Sequence, residues 1–139
     1  MAEHIWSILC SVGIIDQETN NVSLIGAIEQ IQFDFSQTED SPIRIPMQWT
    51  LVSLWRRDHL AEPEQFTGRL RVVGPDGQDL AGAQFEIDLS AHERTRTVTR
   101  QSMFVVTEPG THRFVIETQQ EDDSWDFITA VPLEVIDTA

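Results

Sequence analysis

The chain's 139 residues carry 23 acidic against 9 basic side chains, a formal net charge of −14. Such a field repels phosphate backbones and anionic lipid, which excludes nucleic acid and membrane surfaces as expected partners. A single domain spanning 1–139 is expected, since folding at this length removes roughly two-thirds of the unfolded surface from water, and the one cysteine, Cys10, cannot close an internal disulfide.

The N-terminus has no basic segment, and the apolar stretch Ile5 to Ile15 is interrupted by Ser7, Ser11 and Gly13. It is a poor signal peptide and too short to cross a bilayer, so the expected setting is cytoplasmic and reducing. The first strand is predicted over His4 to Ile15, with Trp6, Ile8, Cys10, Val12 and Ile14 at alternate positions. Asp16 to Asn21 supplies a turn, and Val22 to Phe33 returns as a second strand whose apolar residues fall on both faces, predicting a cover on each side or a bulge near Gly26. A polar loop over Asp34 to Ser41 leads through Pro42 and Pro46 into a third strand, Met47 to Trp55, apolar in both parities as a central strand is.

Beyond a loop over Arg57 to Glu64 comes the clearest signal in the chain, a hairpin of Gln65–Val73 and Leu80–Leu89 around Pro75-Asp76-Gly77. With Asp76-Gly77 as a two-residue loop, Val73 faces Leu80, Val72 faces Ala81 and Leu70 faces Ala83. Phe85 and Ile87 continue that apolar side, and Arg69, Arg71, Gln84, Glu86 and Asp88 fill the other. Ion pairs from Arg69 and Arg71 to Glu86 and Asp88 are expected, worth a few tenths of a kcal/mol each. Glu93 to Val106 follows as a strand with alternating arginine and threonine, then Thr111 to Thr118 after Glu108-Pro109-Gly110, and Trp125 to Ile136 after the acidic loop Gln119 to Ser124. Pro132 marks that last strand as an edge or a bulge. Eight short strands without a helical period predict an all-β, antiparallel two-sheet β-sandwich of immunoglobulin-like or related topology.

Chemistry is sparse. No Gly-x-Ser-x-Gly elbow or phosphate loop occurs, and His4 lies roughly 20 Å along the strand from Cys10. His4, His59, His92 and His112 have no zinc-ligand spacing. The expectation is therefore no enzyme, no catalytic residue, no metal and no cofactor. Glu121-Asp122-Asp123 with Asp126 is the first place to look for Ca²⁺, with Asp76 and Asp79 or Glu39 and Asp40 adding ligands if their loops share one end of the sandwich, although nothing has the spacing of a dedicated calcium loop. His112, just past Pro109-Gly110, stands where immunoglobulin-like domains tie a tyrosine back to its loop, and a similar bond is expected of it. Of the four tryptophans, Trp6 and Trp49 sit in apolar runs and read as core. Trp55, beside Arg56 and Arg57, and Trp125 lie at loop junctions, where aromatic and arginine side chains are enriched at interfaces, next to the plainer role of closing the ends of the core.

The pattern Ile8-Leu9-Cys10-Ser11-Val12, Asp16, Val22-Ser23-Leu24-Ile25, Ile28-Glu29, Pro46, Trp49-Thr50-Leu51-Val52 and Val73-Gly74-Pro75-Asp76-Gly77 continues in Thr107-Glu108-Pro109-Gly110-Thr111-His112-Arg113-Phe114 and Pro132-Leu133-Glu134-Val135. It resembles a family of short uncharacterised bacterial proteins, a domain of unknown function. The resemblance implies an immunoglobulin-like or related sandwich and carries no catalytic residue. The expected function is protein–protein interaction or assembly, with a protein partner or a second copy, through Trp55, Arg56, Arg57 and Trp125 or through a sheet edge near Pro132 or Thr95. The alternative is a small-ligand module for carbohydrate or calcium built on the end loops.

Overall fold

Eleven strands and one 3₁₀ turn make up residues 2–139, the part of the chain that the computed structural model describes. In chain order they are β1 (Glu3–Ile15), β2 (Val22–Ala27), β3 (Gln30–Phe33), the turn Phe35–Gln37, β4 (Ile43–Ile45), β5 (Trp49–Arg56), β6 (Glu64–Val73), β7 (Asp79–Leu89), β8 (Arg94–Gln101), β9 (Phe104–Val106), β10 (Gly110–Gln119) and β11 (Trp125–Asp137). They form a four-stranded sheet, β2-β1-β5-β8, a five-stranded sheet, β3-β11-β10-β6-β7, and the short pair β4-β9. The chain is all-β. No helix is long and apolar enough to cross a membrane among the described residues.

One core joins the sheets. Leu9, Trp49, Leu51 and Trp55 come from the four-stranded sheet. Leu70, Val72, Ile87, Leu89, Phe114, Ile116, Leu133 and Val135 come from the five-stranded one, and Ile43, Phe104 and Val106 from the short pair. These residues recur at every second position of their strands, so the pleat sends them to one side. Burying a leucine, isoleucine or phenylalanine of this kind contributes about 1.5–3 kcal/mol. Trp49 and Trp55 each keep an indole N–H satisfied inside this core, on the Met103 carbonyl and the Thr97 hydroxyl, both at 3.0 Å.

The sequence-derived hairpin pairs as expected at Val72↔Ala81 and Leu70↔Ala83, then departs at its end, where Val73 lies opposite Asp79. The turn explains the shift. Gly77 donates its N–H to the Gly74 carbonyl at 3.0 Å and Gly74 donates to Gln78 at 2.8 Å. Pro75 and Asp76 are thus the turn's centre, and Gly77 takes the left-handed position (φ 86°), so the loop is longer than two residues. The expected second strand is two strands, because Gly26 turns to φ 68° and ends the ladder. The segment after it, β3, runs parallel to the end of β11. The expected arginine-threonine strand is likewise split into β8 and β9.

The β1–β2 ribbon does not stay in the plane of its sheet. Strand β1 pairs with β5 only as far as Cys10↔Thr50. Past that point the ribbon doubles back across the outer face of the sheet, bringing Gly13 against Val52, where an added Cβ would lie 3.4 Å from Cγ2. Its turn reaches β8, and Arg96 donates to the Asn20 carbonyl and side-chain oxygen at 2.8 Å each. This cover accounts for Cys10 and Val52, which have no exposed surface although they face away from the shared core. Trp6 lies on the same outer face and is half-buried, a correction to its expected place in the core.

Candidate functional site

The interface residues expected from sequence separate once folded. Trp55 has no exposed surface. It packs edge-on against His4 (5.1 Å) and Phe66 (6.3 Å), so it serves the core and cannot meet a partner. Arg57 is buried as well. Its guanidinium donates to the carbonyls of Leu89 (2.8 Å), Leu60 (2.8 Å) and Ser90 (3.2 Å), fastening the end of β5 to the corner between β7 and β8. Arg56 is half-exposed and pairs with Glu3 at 3.4 Å. Trp125 alone faces outward as part of a larger cluster.

That cluster occupies the outer face of the five-stranded sheet, where the pleat collects Arg69 and Arg71 from β6, Glu117 from β10, and Trp125 and Phe127 from β11. Glu117 is opposite Arg69 on one side and Phe127 on the other. Its Oε1 accepts from Nε of Arg69 at 2.8 Å and Nε of Arg71 at 2.7 Å, and Arg71 extends a second nitrogen to Asp79 at 2.7 Å. The Arg69 guanidinium carbon stands 4.2 Å from the centroid of the Trp125 ring, a cation–π stack held in place from its far side by Glu117. Phe127, 64% exposed, has the most accessible large apolar side chain among the described residues.

The electrostatics follow from the geometry. Burial works against charge on Glu117, but the hydrogen bonds and charges of Arg69 and Arg71 outweigh it and hold the carboxyl below its usual range. Glu117 in turn raises Arg71 above the ordinary guanidinium value. Both guanidiniums are thus tied to one carboxylate on the face that also carries Trp125 and Phe127. Their expected partners, Glu86 and Asp88, are engaged elsewhere. Glu86 bonds Thr67 and Asp88 caps Ser90, because β10 lies on the other side of β6 and presents a carboxylate in register. Glu117 and Phe127 gave little sequence signal, since a glutamate in an apolar strand acquires its role only from the neighbour it pairs with.

Asp122 in the acidic loop accepts from the Ser124 N–H and hydroxyl at 3.1 and 2.5 Å, and these bonds lower its pKa. No three His, Cys, Asp or Glu side chains among the described residues come together as metal ligands. His112, fully buried, has Nδ1 3.1 Å from the Gly110 carbonyl, the backward bond expected of it, and lies 5.6 Å from the Phe104 ring. The edge expected near Pro132 is only partly free, because β3 pairs with Glu134 to Asp137 of that strand; β8, which holds Thr95, pairs with β5 alone. A groove of about 960 Å³ lies between the ribbon turn and β8, lined by Trp6, Leu54, His92, Arg94, Arg96 and Val98 among others. No family model matches this chain, and no curated protein matches it.

Proposed function

We propose that the protein is a non-enzymatic binding module that recruits another protein through the outer face of its five-stranded sheet, with Trp125 and Phe127 as anchors and Arg69 and Arg71 as flanking charges. The observation that carries this reading is the Trp125–Arg69 stack, immobilised by Glu117, next to a phenylalanine that is 64% exposed. Aromatic and arginine side chains held rigid before binding lose little entropy on contact, which is why such groups dominate interface energetics. A fixed guanidinium pair also suits a carboxylate on the partner.

The scaffold for this function is proposed to be a two-sheet sandwich of immunoglobulin-related topology. Supporting that, β1-β5-β8 faces β11-β10-β6-β7, β3 runs parallel beside the last strand, and His112 bonds backward near the start of β10, where such domains place their corner tyrosine. A cytoplasmic setting accords with the buried free thiol of Cys10.

The test is affinity purification of the tagged chain at moderate salt beside a Trp125→Ala/Phe127→Ala variant whose melting temperature lies close to that of the native protein. A stoichiometric protein retained by the native chain and lost by the variant supports the assignment. Retention by both, or recovery of the bare chain from both, refutes it.

A further inference from the structure

The β1–β2 ribbon is anomalous in so acidic a chain. From Ile5 to Ile15 and again from Val22 to Ile28 it contains no charged residue. Five of the nine exposed large hydrophobic side chains among the described residues lie on it: Ile5, Val12, Ile14, Ile15 and Ile25. Pairing places Val12 directly opposite Ile25, with Ile14 two residues on and opposite Ser23, so Val12, Ile14 and Ile25 share one face. Their exposures are 37%, 50% and 53%. The other face of the ribbon is turned to its own sheet, as Gly13 against Val52 demonstrates. Among the described residues, strand β2 closes the sheet, pairs with β1 alone, and leaves its far backbone edge without a ladder partner.

Sheet edges that must stay single carry lysine, inward-pointing charge or proline to keep other strands away. Strand β2 has none of these along Val22-Ser23-Leu24-Ile25. We infer that this edge is covered by a second copy of the chain, β2 running antiparallel to its counterpart about a two-fold axis, so that Val12, Ile14 and Ile25 form a continuous apolar stripe with those of the partner. Charge selects the occupant. A basic partner would gain from the chain's 23 carboxylates, and the stretches Ile5 to Ile15 and Val22 to Ile28 display none of them, with Asp16 and Glu18 in the turn between them. Two copies at −14 each repel one another everywhere except across an uncharged surface, and an uncharged edge bordered by branched apolar residues is complementary to itself in the isologous arrangement. Because Gly26 ends the ladder, the pairable edge is short, which puts the contact at the small end of specific interfaces, with a Kd on the order of 10–100 µM.

The experiment is sedimentation velocity or light scattering of the full chain from about 5 µM to about 1 mM, in low salt and in about 0.5 M NaCl, a range that brackets that Kd. The expected result is a monomer–dimer equilibrium that tightens severalfold with salt, because screening removes the repulsion between like-charged copies. Ile25→Lys and, independently, Ile14→Glu are expected to weaken it at least tenfold while melting close to the native protein, both side chains being half-exposed. Trp125→Ala/Phe127→Ala is expected to dimerise normally, which separates this interface from the binding face proposed above. A monomer at every concentration and salt overturns the inference, and so does a dimer that neither ribbon variant weakens. Capture of a different protein by the ribbon without self-association also overturns it.

Discussion

Glu117 is the residue on which the outer face of the five-stranded sheet depends, and its removal tests the account most directly. In Glu117→Ala, Arg69 and Arg71 each lose a charge-assisted hydrogen bond of 2.7–2.8 Å and are left as like charges two residues apart on one strand. A hydrogen bond to a charged group contributes about 1.5–3 kcal/mol, which for two bonds gives an upper figure of about 6 kcal/mol. The arginine side chains are 29% and 32% exposed and recover part of this from water, while the glutamate, 11% exposed, takes its own desolvation cost away with it. The expected loss is about 2–3 kcal/mol, or about 10 °C in melting temperature for a domain of this size. Urea titrations of the native protein, Glu117→Ala, Arg71→Met and the double variant would show a coupling of about 1 kcal/mol or more between the two sites. Without Glu117 the Arg69 guanidinium is free to leave the indole, so Trp125 fluorescence is expected to change in the folded state. A loss below about 0.5 kcal/mol, with no coupling and an unchanged emission spectrum, would mean that the pairs are ordinary surface contacts and would remove the argument for a preorganised face.

Three further outcomes follow from the burial pattern. Trp55→Ala is expected to cost about 3–5 kcal/mol, because it opens a cavity in the shared core and strands the Thr97 hydroxyl, whereas Trp125→Ala costs under about 1 kcal/mol; equal losses in urea denaturation would contradict their placement. Burial lowers the pKa of His112 below the ordinary 6.5, so on acidification the unfolded chain takes up the proton first. Its contribution is fully present above 6.5 and is lost as the pH falls through 6.5 toward the folded value. His4 is shifted the same way. Denaturation midpoints between about pH 8 and pH 5.5, above the window in which Asp and Glu titrate, should therefore fall in the native protein and fall less in His112→Leu; an identical slope in both would refute the assignment. Cys10 has no exposed surface and burial raises its thiol pKa, so a disulfide reagent at about pH 8 should label it only at the rate of unfolding. Fast labelling of the folded chain would show that the doubled-back ribbon lifts away readily.

How much of this was legible in the sequence depended on how far the controlling contact lay along the chain. The β6–β7 register could be read from apolar alternation because both strands and their turn lie within 26 residues, Glu64 to Leu89, and only the final pair slipped, through the longer turn. His112 was also legible, since its partner is the carbonyl two residues back. Trp55 and Arg57 were misplaced because their surroundings come from afar: an indole next to two arginines resembles an interface anchor until Thr97, 42 residues away, receives its N–H and Leu89 receives the guanidinium. The partner of Arg69 and Arg71 was missed for the same reason, since Glu86 was near in sequence and Glu117, more than 45 residues away, was near in space. Least legible was the path of the ribbon. Alternation over Trp6 to Ile14 predicts a strand with one apolar face, and it is silent about a strand that leaves its neighbour at Cys10 and folds over its own sheet. Once folded over, the ribbon covers Val52 with one face and must expose the other, so Val12, Ile14 and Ile25, which pairing already places on one face, become a single apolar stripe beside an unpaired edge. The bend therefore creates both the cover for the sheet and the surface that a second copy would fill. A substitution that straightened it, such as loss of the Arg96–Asn20 bonds in Arg96→Ala, should expose Cys10 to thiol reagents and weaken self-association together, whereas Ile25→Lys should weaken association and leave Cys10 protected.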